Sequence, residues 1–186
     1  FYISEKKDEV IGAKKAITTE NIPAATQLFT PDWIVRYLVQ NSLGRLWLLN
    51  RPNSRLAEQM EFYIAPEETD NGQQITDYLK INSPEELAVC DPAVGSGHML
   101  TYAFELLYAI YEEEGYPAPD IPRLILEKNL TGLEIDERAG ALAAFALVMK
   151  ARAKDRRFFR RDVAPNITVL RPIALTEAEL DAEVAV

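Results

Sequence analysis

Leu87-Ala88-Val89-Cys90, followed without interruption by Asp91-Pro92-Ala93-Val94-Gly95-Ser96-Gly97, is the stretch on which the fold turns. Four apolar residues in a row suit a strand buried on both faces of a parallel sheet. The Asp-Pro pair ends that strand, and the two glycines supply the positive φ angles of a sharp turn. From His98 to about Glu114 the pattern becomes helical, with Leu100, Phe104, Leu107, Tyr108 and Tyr111 spaced for one face. Strand, glycine turn and helix in direct succession is the opening of a parallel α/β unit.

The same grammar continues downstream. Gly115 and the prolines at 117, 119 and 122 end the helix. A short helix over 121–128 leads into a second apolar strand, Leu130 to Ile135, and Asp136 caps an Ala/Leu-rich helix running to about Ala153. A third strand follows at Ile167 to Leu170. This spacing predicts three parallel strands joined by right-handed crossovers, with the second strand between the other two.

Upstream, residues 1–28 read as a helical lead-in, with a helix over 1–17 and a loop from Thr18 to Gln27. Thr30 is placed as an N-cap, with Pro31 in the first turn and Asp32 at the positive helix end. The α/β part is expected over 29–175, interrupted by an irregular, polar excursion at 51–82. An acidic tail at 176–186 is expected to be solvated and frayed. The chain begins with Phe rather than Met and is read as a piece of something longer.

The 186 residues are 48% hydrophobic, enough for a core without a disulfide or metal staple. One cysteine, Cys90, and one histidine, His98, exclude zinc ribbons, zinc fingers and disulfide scaffolds. A lone cysteine fits a reducing, cytoplasmic setting. No apolar run approaches the roughly 18 residues of a membrane span, so no membrane partner is expected. The net charge of −9 is the wrong sign for a surface that grips nucleic acid everywhere. It hides an asymmetry: Lys150 to Arg161 (KARAKDRRFFRR) holds seven basic residues and one acid. That run reads first as a solvated helix end favoured by the dipole, and second as a phosphate-contacting patch.

The glycine turn suits a nucleotide-like ligand, because backbone can approach closely and the next helix offers free N–H groups. Asp91, at the strand end, favours a cationic or zwitterionic ligand over a phosphate. Glu134, closing the second strand, is expected beside the turn, where its two oxygens suit the vicinal hydroxyls of a ribose. A P-loop is excluded, since the chain contains no Gly-Lys dipeptide. A dinucleotide fingerprint would need glycine where Leu100 stands, and an acid about 20 residues on. S-adenosyl-L-methionine matches Asp91 and Glu134 with its amino-acid end and its ribose. A plain strand-to-helix connection remains the alternative, against which the Asp-Pro prefix and Glu134 argue.

Asp91 to Gly97 resembles motif I of the amino-type (N6-adenine) DNA methyltransferases, and Gly132-Leu133-Glu134-Ile135-Asp136 resembles their motif II. Phe29-Thr30-Pro31, lying upstream, resembles motif X in the order of the gamma class. The longer strings ATQLFTPDWIVRYLVQNSLGRLW, DPAVGSGHMLTYAFELL and GLEIDERAGALAAFALVMKAR extend the likeness to about residues 20–172. They resemble the PglX-type methyltransferases of BREX phage defence and the type IIG restriction-modification enzymes. The resemblance implies a partial Rossmann-like methyltransferase fold and S-adenosyl-L-methionine as cofactor. It implies that Thr30 holds the cofactor's carboxylate, that Asp91, Pro92, Ala93, Gly95 and Gly97 cradle its methionine end, that Glu134 binds the ribose and that Ile135 packs on the adenine. The acid expected after the third strand is replaced by Arg171-Pro172-Ile173-Ala174.

The family's catalytic Asn/Asp-Pro-Pro-aromatic motif is absent, because none of the eleven prolines adjoins another. No catalytic and no metal-binding residue is therefore assigned. The chain is expected to be the cofactor-binding half of an adenine-N6 DNA methyltransferase, inactive alone. DNA and other defence proteins are its expected partners, and the first strand's free edge favours self-association. A dinucleotide-binding oxidoreductase domain and a cofactor-free interaction module are the competing functions. Among single residues, His98 reads as a plain helix residue and Cys90 as a buried, inert thiol. Trp33, Tyr37 and Trp47 read as core rather than as base-stacking groups.

Overall fold

The computed structural model describes residues 30–65 and 78–171. The expected lead-in helix at 1–17 and the acidic tail at 176–186 lie outside the described residues. The chain divides into two compact units, 1–31 and 32–186. Of the first, Thr30 and Pro31 are described, both exposed and outside any helix or strand.

In the second unit, α1 (Asp32–Val39) starts one residue beyond the expected Pro31, with Asp32 paired to Arg36 at 2.6 Å. The helix then widens into a π-type turn at Gln40–Gly44 and resumes as α2 (Arg45–Asn50). The widened turn aims polar side chains inward. Gln40, fully buried, donates to the Tyr102 hydroxyl at 2.6 Å and accepts from the Phe62 N–H at 2.7 Å. Asn41 accepts from the Ile64 N–H, and Asn50 accepts from the Ile81 N–H while donating to the Leu79 carbonyl. These amides pin both stems of the polar excursion, whose described part contains one short helical stretch at Arg55–Gln59.

β1 (Val89–Asp91), β2 (Leu130–Glu134) and β3 (Asn166–Val169) form a parallel sheet in the order β1-β2-β3, as the spacing predicts. α3 (His98–Glu113) carries the chain from β1, and α4 (Ile121–Leu124) continues through a π-type turn at Ile125–Asn129 into β2. α5 (Glu137–Lys154) connects β2 to β3. Asp91, Gly132 and Ile167 stand side by side in register. The core is built on α3, where Leu100, Phe104, Leu107, Ile110 and Tyr111 are fully buried against Trp47, Ile121 and Leu147. Asn129 closes its floor, donating to the carbonyls of Pro84 and Leu87 and accepting from Tyr111. Burial pushes the Tyr111 hydroxyl well above its ordinary pKa.

Three expectations about burial are corrected. The first strand is not covered on both faces: Val89 and Asp91 are half-buried and Cys90 is exposed. β3 likewise alternates exposed and half-buried residues. Two successive right-handed crossovers in the order β1-β2-β3 carry α3 and α5 to the same side, leaving the other face open among the described residues. Cys90 points to that open face and is not a buried thiol. Trp47 is core as expected, but Trp33 and Tyr37 are 57% and 40% exposed. Helical spacing gave a stripe for all three, yet α1 buries the Val35 and Val39 side and turns Trp33 and Tyr37 outward.

Candidate functional site

The carboxyl ends of β1 and β2 and the turn between β1 and α3 meet at one point. Val94 extends the pairing past β1 by donating its N–H to the Leu133 carbonyl at 2.9 Å. Gly132 makes room for this, since a Cβ there would stand 3.0 Å from the Val94 side chain and 2.7 Å from that of Ile167. Gly95 and Gly97 both have positive φ, +52° and +86°. They differ in surroundings. Gly97 is buried, and a Cβ on it would meet the Ala143 backbone at 3.1 Å; around Gly95 nothing lies within 4 Å of that position. Gly97 therefore lets α3 start against α5, whereas Gly95 faces open space.

Glu134 is the hub. Its Oε2 accepts the Gly95 N–H at 2.7 Å, and its Oε1 accepts the N–H groups of Ile135 and Asp136 at 2.9 and 3.0 Å. Burial alone would raise its pKa, but the three backbone donors from Asp136, Ile135 and Gly95 outweigh burial and hold the carboxyl below its ordinary range. Ile135 is 80% exposed. Asp136 caps α5 as expected, accepting from the N–H groups of Arg138 and Ala139, which lower its pKa in turn.

Asp91 accepts the Ala93 N–H at 3.1 Å, which shapes the turn. By the register its Cα lies about 8 Å from that of Glu134, taking two residues of rise and one strand spacing. Asp91 and Pro92 line a cavity of about 440 Å³ whose remaining wall is largely apolar, with Val39, Leu43, Leu46 and Met99 among its side chains. Pro92 and Ala93 are exposed at the turn. Of the expected site residues, Asp91, Pro92, Ala93, Gly95, Gly97, Glu134 and Ile135 thus gather at one edge of the second unit. Thr30 belongs to the first unit and is exposed.

Two contributors were not singled out from the sequence. Gly132 and Val94 sit inside the quoted strings, but their role is a side-chain fit that only the neighbouring strand reveals. Among the described residues no group of three or more His, Cys, Asp or Glu side chains is arranged to hold a metal ion. No helix among them is long and apolar enough to cross a membrane.

The chain is 55% identical over 183 residues to the adenine-specific methyltransferase BrxX of Escherichia coli O9:H4 (strain HS), covering 97% of this chain and 15% of that protein. It is 42% identical over 175 residues to the adenine-specific methyltransferase PglX of Lacticaseibacillus casei (strain Zhang), covering 90% of this chain and 14% of that protein. A more distant likeness is to a nuclease-deletion mutant of the Type ISP restriction-modification enzyme LlaGI, in complex with a DNA substrate mimic. Its TM-score is 0.48 at 14% identity, over 87% of this chain and 11% of that one. The ATP-dependent Type ISP enzyme LlaBIII bound to DNA gives 0.45 at 12% identity, over 98% and 11%. No family model matches the chain. The resemblance carried by the motifs is borne out: the chain is similar, over nearly its whole length, to a segment making up about one-seventh of the PglX-like adenine-specific methyltransferases.

Proposed function

We propose that this chain is the cofactor-binding part of an S-adenosyl-L-methionine-dependent DNA adenine-N6 methyltransferase acting in phage defence or restriction-modification in the cytoplasm. The observation that carries the reading is the meeting of Glu134 with Gly95 at 2.7 Å, which puts a ribose-type acid on the rim of a glycine turn. The surroundings fit the cofactor. Gly95 borders open space, Ile135 presents an exposed apolar face, and Asp91 lines a largely apolar cavity. Asp91 would accept from the ammonium of the methionine end, with Pro92, Ala93 and the glycines shaping the turn around it. Glu134 would accept from the ribose hydroxyls, and Ile135 would lie on the adenine.

When bound, the cofactor supplies an electrophilic methyl group on a sulfonium. This chain's own part is to bind and orient. A carboxylate has about four acceptor directions, and three on Glu134 are already taken by backbone N–H groups. Ribose binding therefore requires the Glu134 carboxylate to turn or to share its acceptors. The Asn/Asp-Pro-Pro-aromatic motif, which no pair of prolines here can form, would come from parts of the parent outside this sequence. DNA and further defence proteins would be met largely through those parts. The outer edge of β1 and the open sheet face favour self-association of the chain alone.

The test is calorimetric titration with S-adenosylmethionine and, separately, NADH, repeated on Glu134→Ala. Binding of the first alone, lost in the variant, is expected. Binding of NADH would move the reading to a dinucleotide-binding oxidoreductase. Silence toward both, also in a chain extended past Val186, would leave an interaction module.

A further inference from the structure

The basic run straddles the far end of α5: Arg152 and Lys154 lie in its last turn, where the dipole favours them, and the remaining arginines lie beyond it. α5 stops at Lys154 and the chain turns at once. Asp155, 7% exposed, organises the turn: its carboxylate accepts the Arg157 N–H at 2.8 Å and the Arg161 Nε at 2.9 Å, and its carbonyl accepts the Phe158 N–H. Phe158, 2% exposed, anchors the turn in the core. Arg161 also reaches Asp120 at 3.3 Å, and Lys150 pairs with Glu105. Asp155 and Asp120 are thus engaged by Arg161 and Glu105 by Lys150, while Asp162, next in the chain, is exposed.

Arg156, Arg157 and Arg160 are exposed, and their guanidinium groups make no ion pair among the described residues. Phe159 stands among them, 64% exposed, with the Arg152 guanidinium 5.8 Å from its ring centre. The turn, braced from beneath, thus holds in solvent an aromatic ring and three guanidiniums that make no ion pair among the described residues. We propose that the turn from Arg156 to Arg160 is a contact surface for the phosphate backbone of a nucleic acid. Eighteen helical residues, about 27 Å, separate it from the Glu134 edge, so it is a second surface and not the rim of the cofactor site.

The chemistry favours a nucleic acid over an acidic protein. Five of the seven cations between Lys150 and Arg161 are arginines, whose planar forks match phosphate oxygens in pairs. An exposed ring flanked by guanidinium suits an unpaired base or a sugar face. The rest of the chain carries 13 basic against 28 acidic residues and repels the same polyanion, so contact would be confined to this turn. The inference rests on the proposed function only in taking DNA as the polyanion.

The test uses the whole 186-residue chain and a fluorescent DNA duplex of arbitrary sequence, about 30 base pairs long, titrated by anisotropy between about 50 and 200 mM salt. Affinity is expected to fall steeply with salt. The triple variant Arg156→Gln, Arg157→Gln, Arg160→Gln should bind at least about tenfold more weakly at the low-salt end and lower the log–log slope by about two to three. Its far-UV circular dichroism and its S-adenosylmethionine titration should match wild type. Unchanged DNA affinity and slope in the variant would overturn the surface, as would absence of DNA binding by the wild type. Polyglutamate binding as tightly as DNA would assign the turn to an acidic protein instead. Loss of cofactor binding with DNA binding intact would count against the proposed function and leave this surface standing.

Discussion

Replacing Glu134 by Gln keeps the shape of the hub and removes its charge. The amide retains one acceptor oxygen, which can serve the Ile135 and Asp136 N–H groups, while its NH₂ then faces the Gly95 N–H donor. Hydrogen bonds to a charged group are worth about 1.5–3 kcal/mol each when buried. Glu134 is only half-buried, so solvent takes back part of this, and one lost bond plus two weakened ones comes to about 1–2 kcal/mol of local opening. That is roughly a 5- to 30-fold rise in exchange at the Gly95 amide. Native-state hydrogen exchange by NMR reads it directly, with the Gly97 amide, bonded to the Val94 carbonyl at 2.8 Å, as internal reference. The sign with pH follows from the lowered carboxyl. Its contribution is complete above the unfolded value near 4.5 and is lost as pH falls through the still lower folded value. Wild-type protection at Gly95 should therefore fade only below pH 4.5, and the Gln variant should show no such step. A Gly95 amide that exchanges as slowly in the variant as in wild type, relative to Gly97, would refute the hub.

Gly97→Ala should destabilise the chain by about 2–3 kcal/mol in urea unfolding, from positive φ plus a methyl 3.1 Å from the Ala143 backbone. Gly95→Ala, facing open space, should cost only about 1 kcal/mol, and equal losses at the two positions would contradict their different surroundings. Asn129→Leu removes the partner of two buried carbonyls and the Tyr111 hydroxyl and should cost about 3 kcal/mol; a neutral result would mean that those groups find other partners. Cys90 should react with a thiol reagent in the native protein, one equivalent per chain, and a requirement for denaturant would place it back in the interior.

How much of this was legible before any coordinates divides along a physical line. Features written in one local stretch came through: Gly95 and Gly97 at positive φ, Asp136 capping α5, the helix from His98, and β2 as the central strand. Each depends on residues within a few positions, or on crossovers whose hand is fixed. Glu134 was readable as a candidate because it ends an apolar strand after a glycine turn. Its grip on three backbone N–H groups was not readable, since the Gly95 donor arrives from 39 residues away. The polar anchors Gln40, Asn41, Asn50 and Asn129 were missed for the same reason: a lone amide in a helical pattern carries no mark of the loop it will hold.

Burial was the least legible quantity, and its errors share a direction. Cys90, Trp33 and Tyr37 were all placed inside and all stand outside among the described residues. α5 repeats the pattern, with Gly140, Ala143, Leu147 and Ala151 buried on one side while Leu142, Phe145 and Met149 are 51%, 61% and 45% exposed on another. A periodic apolar stripe states which residues share a face, not which face meets a partner. In a helix apolar on more than one side, periodicity cannot choose. Here backbone fit makes the choice. Gly140 admits β3, because a Cβ on it would stand 2.9 Å from Val169, and Gly97 admits α5 at Ala143. A glycine read from the sequence as a turn residue, Gly97, and one inside a helix, Gly140, thus both decide which apolar surfaces close.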